Sequence, residues 1–185
     1  MCRRIFAICF CALAALLFGQ MHTAANAAAK KAPETYSIKE FQEIVEQALG
    51  NSSAAFGARR TVSPGAFLGA KKAYFYRFAN ATVGMASGGI SIMNVIDKSQ
   101  EDGETCVDNK NDFRDIPSAG GIILGANSYT CTKAGKPHYF GFVKFIDERG
   151  KTDHLFWVYG TDLPYAAATA VRDRIFERMR NDYAN

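Results

Sequence analysis

Chemistry in this chain would have to come from few side chains: His138 and His154, the pair Cys106 and Cys131, the adjacent cations Arg59 and Arg60, Arg172, and the carboxylates between Glu101 and Asp115. A histidine offers a general base or a metal ligand near neutral pH. If 138–147 and 152–160 pair as a hairpin about Glu148-Arg149-Gly150-Lys151, His154 falls opposite Phe145 near the turn and His138 at the far end. The two cannot then share a site, and each stands alone as a candidate base. No nucleophile-elbow, zinc-protease or disulfide-exchange motif accompanies them. Asp108-Asn109-Lys110-Asn111-Asp112 imitates a calcium loop in part. Lys110 occupies a ligand place, Phe113 stands where the sharp-turn glycine belongs, and no bidentate glutamate follows. Gly84, Gly88 and Gly89 spell neither phosphate-binding pattern. The expectation is no metal and no cofactor.

The cationic candidates are of two kinds. Arg59 and Arg60 could hold an anion, although solvated arginines are the commoner outcome. Arg172 lies by helical phase among Ala168, Ile175, Phe176 and Met179, on an apolar stripe. A guanidinium there needs a carboxylate or a route to water. Asp153 is the expected partner, in a pair that either fixes the helix or, left open, binds an acidic ligand. The chain carries 22 Lys and Arg against 18 Asp and Glu, and Arg3 and Arg4 belong to its leader. That balance excludes the strongly basic surface a nucleic-acid partner requires.

Residues 1–27 read as a secretory signal peptide: Arg3 and Arg4, an apolar run from Ile5 to Phe18, then Ala25-Asn26-Ala27 as a cleavage site. The run is shorter than the ~20 residues of a spanning helix. Cys2, Cys9 and Cys11 would leave with it, stranding Cys106 and Cys131 in an oxidising compartment, where they are expected to pair. Neither has a Cys or His at zinc-ligand spacing along the chain. Residues 28–35 read as a disordered leader and 36–185 as a single globular domain.

The elements that must position these groups begin with the hairpin. Its spacing sets Val143 opposite Phe156, Phe142 opposite Trp157 and Phe140 opposite Tyr159. Both faces are apolar, so the hairpin is expected at the centre of its sheet. Ser37 and Glu40 form a capping box for a helix that Gly50 stops. Residues 51–70 read as a long loop, 71–80 and 82–97 as strand regions, 98–117 as a tethered acidic loop, and 121–124 and 128–133 as short strands. Pro164 opens a helix running to about Asp182.

The fold predicted is α+β: an antiparallel sheet of five to six strands, with an N-terminal and a long C-terminal helix packed on one face, the Trp157 face. The 51–70 loop partly covers the other. The function expected is a secreted or periplasmic, non-enzymatic module that binds a partner or small ligand, or serves as an accessory of the cell envelope. The alternative is a small secreted hydrolase using His154 or His138. Asn51 and Asn80 are glycosylation acceptors only in a eukaryotic source.

Overall fold

The computed structural model describes residues 36–117, 122–147 and 152–183. The leader expectations and the turn at 148–151 lie outside them. Three long strands form the middle of an antiparallel sheet: β6 (Ile122–Lys133), β7 (Lys136–Asp147) and β8 (Thr152–Thr161). β6 turns into β7 through Ala134 and Gly135, at φ 48 and 75. Two successive positive φ angles give the turn whose twist matches that of paired strands. β7 and β8 pair with Asp147 opposite Thr152, Phe145 opposite His154 and Phe142 opposite Trp157, the register that the hairpin spacing predicts.

β8 continues to β3 (Ala81–Ser87), then β2 (Lys72–Phe78), then the edge strand β1 (Arg59–Gly65). At the other end β6 lends its outer edge to two short strands in succession, β5 (Arg114–Pro117) near its start and β4 (Thr105–Asp108) near its finish. The sheet therefore has seven positions, not five or six. The extra strands lie where loops were expected. β1, β4 and β5 sit at edges and are mostly polar, so they lack the alternation that marks a half-buried strand.

Helix α1 (Ile38–Leu49) opens on the capping box. Ser37 N donates to Glu40 Oε2 at 2.7 Å and Glu40 N to Ser37 Oγ at 3.2 Å. A short helix α2 (Ser53–Phe56) follows. Helix α3 (Ile92–Glu101) replaces the later half of the expected second strand: Ile92, Val95 and Ile96 satisfy helical spacing as well as they approximate alternation. Helix α4 (Tyr165–Tyr183) is the long C-terminal one. No helix among the described residues is long and apolar enough to cross a membrane.

The two faces of the sheet are the reverse of the expected assignment. α1 and α4 pack on the face of Val143, Phe145, Phe156 and Val158. The Trp157 face is covered by α3 and by the 66–71 segment, whose Phe67 stacks on Trp157 at 4.2 Å between centroids. Both faces being apolar, alternation separates them without saying which the helices cover. Each large side chain buried here is worth roughly 1.5–3 kcal/mol of transfer free energy. Gly84, directly opposite Trp157, makes room for the indole: a Cβ there would stand 2.0 Å from the ring.

Candidate functional site

Arg172 is 1% exposed in the middle of α4, where the apolar stripe would place it. Its partners come from its own helix and from the acidic segment. Nε and Nη2 reach Asp173 Oδ1 at 3.0 and 2.6 Å, and Nη1 lies 3.2 Å from Asp112 Oδ2. Asp112 sits in the 3₁₀ turn between β4 and β5. The same oxygen accepts hydrogen bonds from the Ser128 and Tyr165 hydroxyls, while Asn109 Nδ2 donates to Ser128 Oγ at 3.0 Å. Arg114 adds a second cation at Asp173, 3.3 Å away. Burial works against the charge on Asp112, but the two hydroxyls and Arg172 outweigh it and hold the carboxyl below its ordinary value. Burial likewise opposes the charge of Arg172, and Tyr139, Asp173 and Asp112 override it upward.

Among the described residues the guanidinium is taken by Asp112 and Asp173. Asp153 stands opposite Ile146 in the β7–β8 ladder, and its side chain lies outside the described set. Ser128 and Tyr165 were not singled out from the sequence, and Asp112 only as part of an incomplete calcium loop. Only the folding of the acidic segment against β6 brings them under α4. The cluster is a polar latch between helix and sheet edge, with every hydroxyl turned toward a carboxylate that is itself neutralised.

The two histidines are far apart, as the hairpin register demands. His154 is fully buried on the helix face, its ring 5.1 Å from Tyr36 and 5.8 Å from Phe145. Its cross-strand neighbour is the buried Ser87. His138 is 5% exposed on the other face, opposite Cys131. Its Nε2 lies 3.3 Å from Glu104 Oε2, a distance without hydrogen-bond alignment. Cys106 and Cys131 face each other across the β4–β6 ladder, with sulfurs 2.11 Å apart. Arg59 is taken up by Glu46 and lies over the Tyr76 ring at 5.2 Å. Burial, helped by Glu46 and opposed by the Arg59 charge, pushes the Tyr76 hydroxyl up to about 12. Arg60 is an exposed neighbour on the edge strand.

Between α3 and the β4–β6 edge opens a groove of about 430 Å³. Its walls are Ile92, Phe113, Tyr129, Phe142 and Ile146, with Asp108, Asn127 and Lys144 as polar members. Tyr129 and Phe142 stack at 6.2 Å. Phe113 is 63% exposed beside them, an apolar ring left facing water at the groove mouth. Asn127 Nδ2 donates to Asp108 Oδ1 at 2.9 Å, and Lys144 Nζ to the Ile90 carbonyl at 3.1 Å. The lysine is thereby tied to the chain leaving β3, while Asp108 stays exposed. Burial, and then the Asp108 charge, raise the Tyr129 pKa. Gly125 leaves the floor open: a Cβ there would meet only the Arg114 carbonyl, 3.8 Å away. No family model matches this chain, and neither a curated protein nor a solved structure matches it.

Proposed function

We propose that this protein is an exported, non-enzymatic binding module of the cell envelope, and that the groove between α3 and the β4–β6 edge takes a small amphiphilic ligand with an aromatic body and an ammonium end. The reading is carried by one observation: an open aromatic wall of Phe113, Tyr129 and Phe142 stands beside the exposed carboxylate of Asp108. Aromatic faces and a carboxylate together favour an organic cation, through ring quadrupoles and direct charge pairing. Export rests on the leader pattern and is supported by the Cys106–Cys131 disulfide, since such bonds persist in oxidising compartments. A periplasmic or secreted location follows from both.

A hydrolase built on His154 or His138 has less support. His154 and its cross-strand neighbour Ser87 are sealed from solvent, and His138 is buried against Glu104. The test is a ligand-observed NMR screen of matched aromatic amines, aromatic acids and aliphatic amines. Binding of the amines that weakens in Phe113→Ala, with Asp108→Asn erasing the preference over acids, supports the reading. Equal or absent binding of all three sets defeats it.

A further inference from the structure

Glu104, Cys106, Cys131 and His138 meet at one corner of the Trp157 face, brought there by cross-strand register and not by spacing along the chain. Cys106 stands opposite Cys131, and Cys131 opposite His138. The Glu104 carboxylate reaches in from the residue immediately preceding β4, so that its oxygen and the two sulfurs all lie within 4.8 Å of one another. It is held on both sides. His138 Nε2 stands 3.3 Å from Oε2, and the Tyr159 hydroxyl donates to Oε1 at 3.5 Å. The Glu104 and His138 side chains are 9% and 2% exposed, and buried His138 Nε2 makes no aligned hydrogen bond. A structural disulfide gains nothing from a buried carboxylate beside it, and desolvating one is costly.

We propose that reduction of the disulfide turns this corner into a site for a borderline divalent cation such as Zn²⁺, ligated by the Cys106 and Cys131 thiolates and by Glu104. His138 is a positioning residue that orients the carboxylate, the outer-shell role that tunes metal affinity. The chemistry balances. A dithiol reductant passes two electrons and two protons to the Cys106–Cys131 bond and closes into its own disulfide; the cation then displaces both thiol protons to solvent. After reduction the sulfurs must part to about 3.8 Å, the span of two Zn–S bonds of ~2.3 Å at a tetrahedral angle. β4 can yield by that much, being an edge strand joined to β6 at four register pairs. A water completes the fourth position. The inference stands independently of the groove and its ligand.

The test uses the full chain with Cys2→Ser, Cys9→Ser and Cys11→Ser, reduced by a phosphine so that no dithiol competes for metal, and titrated with Co²⁺. The expected result is a single equivalent bound, with thiolate-to-cobalt absorption and tetrahedral d–d bands, both absent from the oxidised protein and displaced by Zn²⁺. Glu104→Gln should weaken binding at least tenfold. His138→Phe should weaken it about ten- to a hundredfold and shift the d–d bands, while His138→Gln, which keeps a side-chain donor, should recover most of the loss. No band in the reduced protein overturns the proposal, as does affinity unchanged in Glu104→Gln. Circular dichroism is recorded in parallel: a reduced chain that has lost its fold and is not restored by Zn²⁺ is equally fatal.

Discussion

Arg172 Nη1 lies 3.2 Å from Asp112 Oδ2, joining the middle of the C-terminal helix to a 3₁₀ turn at the far edge of the sheet. The guanidinium cannot snorkel, because it is buried beneath its own helix, so its charge is compensated in place by that carboxylate and Asp173. Breaking one partner of a buried pair leaves the other uncompensated, which typically costs about 3–5 kcal/mol. Arg172→Met should show a loss of that order in denaturant titration. A double-mutant cycle with Asp112→Asn should give a coupling above ~0.5 kcal/mol, and one with Asp153→Asn should give none. The opposite ranking would restore Asp153 as the partner.

The same carboxylate sets an acid limit. Asp112 is held below its ordinary pKa by Ser128, Tyr165 and Arg172 against the cost of burial. Its contribution to stability is therefore complete above the unfolded carboxylate value, about pH 4, and is lost as pH falls through the depressed folded value. Asp112→Asn should lower stability at neutral pH and flatten its decline below about pH 4. A variant whose acid limb parallels the wild type would show that other carboxylates govern it.

Trp157→Ala should cost roughly 3–5 kcal/mol, for loss of packing against Phe67 and Phe75. Gly84→Ala should destabilise by roughly 1–3 kcal/mol through overpacking, since its methyl would occupy the indole's place. His154→Ala, which a residue near a hairpin turn would tolerate, should also cost about 2 kcal/mol or more, because the ring is fully buried under the helices. Three thermal or chemical melts decide this, and a harmless His154→Ala would contradict the burial.

The hairpin register was legible because a short turn leaves few ways to pair two aromatic strands, and Phe145 with His154 or Phe142 with Trp157 follow from counting outward. Which face the helices cover was not legible: Phe140, Phe142 and Trp157 are as apolar as Val143, Phe156 and Val158. α3 was hidden for a related reason, since Ile92, Val95 and Ile96 suit a strand, and Ser91 supplies no side-chain cap bond to announce a helix. The phase of Arg172 foretold a buried cation, but its partner depended on where the acidic segment folds. Glu104 gave no signal either, because its approach to His138 and the cysteines exists only across strands. The groove could be glimpsed only as Phe113, a large ring stranded among polar neighbours.

Phe113 separates a binding role from a structural one. It is 63% exposed, so Phe113→Ala should leave stability within about 0.5 kcal/mol of wild type while weakening aromatic-amine binding. A large loss of stability would make the ring part of the core, and the groove an artefact of its packing.

The shared outer edge of β6 gives the disulfide a further consequence. At the opposite margin β1 is poorly suited to accept another strand: Pro64 lacks a donor, and Arg59 and Arg60 put charge along it, devices that discourage chain-to-chain pairing. β6 has no such protection of its own. It is twelve residues long, and β4 and β5 cover it with four each. The covalent bond at Cys106 and the ionic hold on Asp112 keep that cover in place. Loss of both would bare a ladder of unpaired amides and carbonyls able to recruit a second molecule, so colloidal stability, more than melting temperature, should be the first property to fail.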